Sequence, residues 1–375
     1  MQVETLRFDP RQGWSAPFPD IDSERTLVMV FAAPEYFERT APIDELRGAY
    51  QRATVIGCST AGEIVAASIH DRSLAAAVVR FDATDVAHAS APVAGAGESR
   101  TAGASLARQL ARRSLRAVLV LSDGISVNGS ELLRGINDEI GDVPVSGGLA
   151  ADGDRFRRTW VMAAEAPSVG RVAAVGLYGE RIRVSHGSRG GWDIFGPERV
   201  ITRSTGNVLY ELDNRPALAL YKQYLGERAA GLPATALLFP LAVRASQRDE
   251  PVVRTILGVN DDENSLTFAG DVPQGALAQL MRANFDRLID GAGSAAKLAS
   301  LRETPSGDSL AIAISCVGRR LVLGERAEEE VEAAAQVLGD CKLIGFYSYG
   351  EISPYASGRC ELHNQTMTLT RVWEA

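Results

Sequence analysis

The sequence predicts an α/β protein of two lobes, in which mixed β-sheets flanked by helices are built from repeated strand-helix-strand units. Three observations predict it. Short apolar runs alternate with amphipathic segments along the whole chain. One supersecondary pattern recurs at its two ends. The 375 residues, 46% hydrophobic and 23% charged, exceed one ordinary core.

Taken in order, Thr26–Ala32 (TLVMVFA) is apolar on both faces, as expected of a covered strand. Ile43–Arg52 has helical spacing, with Asp44 and Glu45 in its first turn, and Thr54–Ser59 and Ser73–Phe81 are the next strands. Glu98–Arg113 reads as a helix, Arg116–Ser122 as a strand running into the Asp123-Gly124 turn, and Gly129–Ile140 as a helix stopped by Gly141. Gly170–Tyr178 and Arg181–His186 read as a hairpin around Gly179-Glu180, followed by a Gly-rich stretch, Gly187–Gly196. Pro216 opens a helix to Leu225, which marks the lobe boundary and gives domains of residues 25–215 and 216–373. Ala283–Leu301 and Glu325–Leu338 read as helices, and Ser309–Cys316, Lys342–Tyr347 and Gln365–Val372 as strands.

The repeat is strand, helix, then a glycine-carboxylate segment, then strand. The two segments are Ile56-Gly57-Cys58-Ser59-Thr60-Ala61-Gly62-Glu63-Ile64 and Ile344-Gly345-Phe346-Tyr347-Ser348-Tyr349-Gly350-Glu351-Ile352. A weaker third copy, after helix Gly129–Ile140, ends in Gly147, Gly148 and Asp152. These glycine-bearing ends are expected to face one cavity between the lobes.

The chemistry these residues exclude is as informative. Gly57-x4-Gly62 and Gly345-x4-Gly350 have the glycine gap of a phosphate-binding loop, but Glu63 and Glu351 stand where that loop needs Lys, and a carboxylate repels phosphate. The glycines either allow a sharp strand exit or let the backbone approach a small ligand, with the carboxylates as acceptors. Gly57-Cys58-Ser59-Thr60-Ala61 lacks the second glycine of a nucleophile elbow. None of the four histidines (His70, His88, His186, His363) is placed by sequence to serve Cys58, so a hydrolase with Cys58 or Ser59 as nucleophile is disfavoured and no enzyme is expected. The acidic loop at Asp152 lacks the ligand count of a calcium loop. Arg254 puts one charge in an apolar strand, where it either faces solvent or pairs with a carboxylate or with an acid group of a ligand. His363 and Asn364, close to Tyr347 and Tyr349, suggest a pocket at the last strand. A net charge of -8 argues against nucleic acid. Scattered cysteines, no basic-then-apolar leader and no run long enough for a bilayer give a cytoplasmic location and no membrane partner as expectations.

Several blocks carry a family resemblance: IGCSTAGEI and SGGLAADGDRF followed by TWV in the first half, and ALALYKQYLG, VVRTILGV, SLTFAGDVPQGALAQLM and IGFYSYGEISP followed by GRCELHNQTMTLT in the second. They resemble tandem N-terminal and C-terminal FIST domains, over nearly all of the chain. The resemblance implies a sensory protein that binds a small ligand such as an amino acid. It extends to bacterial nitric-oxide-sensing FIST proteins, which bind haem and act on histidine kinases; in that alternative His363 is the axial ligand. The chain carries no kinase, methyl-accepting or cyclase block, so its output is expected to pass to a separate partner such as a histidine kinase. The expected ligand site comprises Cys58, Ser59, Thr60, Gly62, Glu63, Gly147, Gly148, Asp152, Arg254, Tyr347, Tyr349, Glu351, His363 and Asn364. Haem is the one cofactor the resemblance brings into view, and no other metal is expected.

Overall fold

The computed structural model describes residues 1–244, 246, 251–301, 307–354 and 358–375. Three six-stranded mixed sheets share a common plan, and a fourth, eight-stranded sheet stands apart from that plan.

Each of the three sheets is centred on one strand-helix-strand unit. In the first unit Thr26–Ala32 lies parallel to Thr54–Ser59 and antiparallel to Leu74–Arg80. In the second, Leu115–Ser122 lies parallel to Val145–Leu149 and antiparallel to Arg171–Tyr178. In the third, Leu310–Cys316 lies parallel to Lys342–Ser348 and antiparallel to Met367–Glu374. The crossover helices are Ala41–Ala49, Gly129–Ile140 and Ala327–Leu338. The unit therefore occurs three times, which is why the chain reads as alternating apolar runs and amphipathic segments.

Alternation along each central strand sorts its side chains between two cores. Met29, Phe31, Leu119, Leu121, Ile312 and Ile314 meet in one cluster shared by all three units. There Phe31 and Phe346 bring their rings within 4.7 Å across two units. The intervening Val28 and Val30, Val118 and Val120, and Ala311 and Ala313 belong to the cores on the opposite faces, where the helices Ser99–Leu110, Gly129–Ile140 and Phe285–Ser300 pack with the second and third units. Burial on both faces explains runs such as TLVMVFA that show no polar alternation.

One detail of the linear reading is corrected. Arg171–Tyr178 and Ile182–Arg189 do not form a hairpin: the first pairs within the second sheet and the second with Met367–Glu374 in the third. The Gly-rich stretch supplies the end of that strand and the start of the long strand Asp193–Thr205. The hairpin expectation fails because sequential strands usually pair but here the chain steps from one unit to the next.

The eight-stranded sheet is antiparallel and is inserted between Ile182–Arg189 and helix Phe285–Ser300. Its main path runs from Val252–Arg254 at one edge to Ile256–Asn260 at the other. Only Thr255 separates those edges in sequence, so the sheet must curl until its edges meet, as a half-barrel. It wraps its own core, with Tyr221 of helix Ala217–Leu225 packed among Leu209, Phe239, Leu266 and Phe268.

Glycine is required at one level of all three units. A Cβ on Gly57, Gly147 or Gly345 would lie 2.5, 1.8 and 1.8 Å from the carbonyl oxygens of Val30, Val120 and Ala313, their register partners on the first strand. Gly147 also has φ +144°. Backbone cannot yield as a side chain does, so Gly147→Ala and Gly345→Ala should each cost about 3 kcal/mol or more, seen as a lowered urea midpoint. Wild-type midpoints for both variants would refute the close approach.

Candidate functional site

The segment that leaves the second strand of each unit turns a corner, and the three corners interlock. Ala61 N–H donates to the Tyr347 carbonyl (2.8 Å), Ala151 N–H to the Ser59 carbonyl (2.9 Å) and Tyr349 N–H to the Leu149 carbonyl (3.3 Å). Each corner thus donates to one neighbour and accepts from the other. Beyond the corner the chain adds a short strand to a neighbouring unit: Glu63–Val65 to the third, Gly350–Pro354 to the second, and Val161–Ala163 to the first. By this register Ile64, Ile352 and Met162 face Gly345, Gly147 and Gly57. The second corner carries a longer loop through Asp152, which is why its likeness to the other two is weaker along the sequence.

The same register places Val161 where the other units have Glu63 and Glu351. Those two carboxylates are brackets within their own units. Glu63 accepts from the Thr60 hydroxyl and from the Ser73 hydroxyl and N–H. Glu351 accepts from the Ser348 hydroxyl and from the Thr366 hydroxyl and N–H. Burial outweighs these donors and pushes the carboxyls up, Glu63 to about 7 and Glu351 to about 8. Gly62 (φ +129°) leaves room for Arg320, whose guanidinium donates to the Ala61 carbonyl and pairs with Asp71 at 2.7 Å.

A cavity of about 270 Å³ lies beside the third corner, between it and the half-barrel. The repeat side contributes Tyr349, Phe156, Cys316 and Gly318. The half-barrel side contributes Leu232, Leu237, Thr255, Ile256 and Leu257. The Tyr349 ring stacks on Phe156 at 4.5 Å, and its hydroxyl donates to Asp152. Asp152 accepts in addition from the N–H groups of Arg157 and Arg158 (3.0 Å each), so its carboxylate braces the wall. Burial pushes the Asp152 carboxyl up, but these donors hold it below the usual range. Burial pushes the Cys316 thiol far up, so it stays neutral. The mouth carries Phe156, Leu257 and Leu321, each between 47% and 49% exposed.

Of the expected site residues, Tyr349 lines this cavity and Asp152 supports it. The corners meet as anticipated, yet their glycines and glutamates do not line the hollow. Cys58 is fully buried with its thiol pushed well up by burial, and Ser59 Oγ accepts the Trp160 N–H. Gly148 packs against Ile314 and Phe346. Tyr347 donates to Glu330 at 2.9 Å, inside a buried network in which Arg319 pairs with the same carboxylate at 2.7 Å. Arg254 is buried rather than solvent-facing: it donates to the Asp271 and Leu362 carbonyls and ties the half-barrel to the third unit. Both side-chain atoms of Asn364 are buried without a partner among the described residues. Phe156, Thr255 and Gln365 were missed. Gln365 Nε2 donates to the Leu237 carbonyl at 3.4 Å and packs at Gly318, two residues of the cavity wall, while its Oε1 has no partner among the described residues.

Haem does not fit His363 as it is held. The ring is 7% exposed, Nε2 lies 3.1 Å from the Ser353 carbonyl and therefore carries the proton, and the residue is not part of the cavity wall. Burial, with the nearby Arg254 charge, pushes the imidazole down to about 4, so it is neutral at neutral pH. Among the described residues no group of three or more His, Cys, Asp or Glu could hold a metal ion, and no helix is long and apolar enough to cross a membrane.

Residues 26–215 match the family model of the FIST N domain and residues 217–354 that of the FIST C domain. The point where the matches meet falls inside the eight-stranded sheet. Among curated proteins, uncharacterized protein Mb0898c of Mycobacterium bovis and uncharacterized protein MT0897 of Mycobacterium tuberculosis are each 26% identical over 267 residues. Each alignment spans 67% of this chain and 66% of the relative. Among solved structures, a cyanuric acid hydrolase from A. caulinodans aligns over 93% of this chain and 89% of its own, at 9% identity and a TM-score of 0.37, a similarity from which neither fold nor chemistry transfers.

Two outcomes test this account of the buried carboxylates. Glu63 and Glu351 hold their protons more tightly when folded than the ordinary carboxyl value of 4.5. Their stabilisation is complete below about 4.5 and lost as pH rises through about 7 to 8. Urea midpoints should fall across that window, and fall less steeply in a Glu63→Gln/Glu351→Gln double variant; equal slopes would contradict the assignment. Glu330→Ala leaves Arg319 buried and unpaired and should cost about 3–5 kcal/mol, measured by urea denaturation, whereas a loss under about 1 kcal/mol would show that the pair is not buried as described.

Proposed function

The chain belongs to the FIST family, and we propose that it is a sensory protein whose small-molecule ligand occupies the cavity between the third corner and the half-barrel. FIST domains are sensory, ligand-binding domains. One observation carries the placement: of nine large apolar side chains that are exposed among the described residues, three stand at the mouth of this one hollow. Exposed apolar surface gathered at a concave opening favours an occupant.

The reading is of binding rather than catalysis. Cys58 and Ser59 are shut away, and the Cys316 thiol on the cavity wall is held neutral by burial. A ligand touching both walls favours the arrangement that brings them together, so binding shifts the population of half-barrel positions. Arg254, hydrogen-bonded across that boundary beside Thr255, is placed to follow the shift. We take the reader to be a separate signalling protein, a histidine kinase being the class that the family resemblance implies. The nitric-oxide reading with haem on His363 requires that imidazole to release the Ser353 carbonyl, so a small organic ligand is favoured.

A thermal-shift screen of a small-molecule library tests the placement, run in parallel on Ala234→Trp, which sets a large ring on an exposed position of the cavity rim. Hits should raise the melting temperature of the wild type, by about 2.7 kcal/mol of added stability at a hundredfold excess over Kd, and leave the variant unshifted. Hits that stabilise both equally would place the ligand elsewhere. After incubation with haemin and removal of the unbound haemin, the protein should also lack a Soret band; a band that disappears in His363→Ala would restore the haem alternative.

A further inference from the structure

We propose that the ligand is a neutral, ring-bearing small molecule with one or two uncharged hydrogen-bonding groups, and not an amino acid or other zwitterion. This rests on the cavity being the ligand site. Among the described residues the wall contains no charged side chain. Three charged side chains that adjoin or bond to wall residues, Asp152, Arg254 and Arg319, are already committed. Asp152 has one oxygen on the Tyr349 hydroxyl and the other on two backbone N–H groups. Arg319 is held by Glu330, and Arg254 by two carbonyls and, at 3.6 Å, by Glu361. An ammonium and a carboxylate moved from water into such a wall lose their hydration without gaining counter-charges.

The neutral polar groups are in the opposite condition. Thr255 lines the cavity at 4% exposure, and its Oγ1 has no partner among the described residues. Gln365 is fully buried against Gly318 and Leu237 of the wall, with Oε1 likewise unpartnered. Buried hydroxyl groups are ordinarily satisfied, so the unpartnered Thr255 hydroxyl on the wall, with the Gln365 amide behind it, points to a ligand that supplies an N–H or O–H. The Tyr349–Phe156 stack presents aromatic surface beside them, which suits a planar ring. The volume of about 270 Å³ holds one or two fused rings and not an extended chain.

Matched probes that share a ring and differ in charge decide the matter: indole against L-tryptophan, and p-cresol against L-tyrosine, titrated calorimetrically into the full chain. Indole and p-cresol should bind at least tenfold more tightly than their amino acids. Ala234→Trp should abolish that binding, and Thr255→Val should weaken it about tenfold, a difference of about 1.4 kcal/mol. Tighter binding of the amino acids, lost in Ala234→Trp, would overturn the ligand class while leaving the cavity as the site. Binding of any probe that survives Ala234→Trp would overturn the site as well. If none of the four binds while library hits remain sensitive to Ala234→Trp, the class is again wrong and the site stands.

Discussion

Three backbone hydrogen bonds, passed in a ring from Ala61 to Tyr347, Ala151 to Ser59 and Tyr349 to Leu149, hold the protein's three corners together. Each corner is committed to both of its neighbours, and each then lends a strand to another unit's sheet. A sheet completed by a borrowed strand exposes unpaired N–H and C=O groups if the lender moves away, so no unit separates without cost to the next. The glycines one level below follow from the same constraint, because the second strand of each unit must approach the backbone of the first.

On that frame the molecule treats charge and neutral polarity differently. Buried ions are fully engaged: Arg319 with Glu330, and Arg254 with carbonyls across the half-barrel boundary. Thr255, Asn364 and Gln365 instead keep neutral atoms without a partner among the described residues, near the seam where the half-barrel meets the third unit. An unpaired hydroxyl or amide is far less costly than an unpaired charge, so a fold can hold the former open for an occupant where it could not hold the latter.

Glu63 and Glu351 show why a shifted titration does not by itself mark a site. Both sit in the repeated segments, both are fully buried, and both are pushed well above an ordinary carboxyl. Perturbed groups gather at functional sites, but structural brackets are perturbed by the same desolvation. Here the donors all come from the carboxylate's own unit, and the cavity lies elsewhere. The third unit borders the cavity because it alone has both the half-barrel insertion before it and the aromatic Tyr349 at the position held by Ala61 and Ala151 in the others.

The sequence by itself determined the α/β class, the recurring strand-helix-strand unit and the glycine levels, because apolar periodicity and a residue without Cβ record local backbone geometry directly. It pointed to Tyr349 and Asp152, since both lie in corner segments whose likeness to one another is visible along the chain. It did not determine which strand pairs with which unit: lending a strand to a neighbour leaves no local trace, and the hairpin expected at Gly179-Glu180 failed for that reason. Nor did it reach Phe156 or Thr255, which are remote from one another in sequence and ordinary in local pattern. Only tertiary structure decided that they meet, because a cavity is a property of surfaces that fail to fill the space between them, and no single segment encodes that.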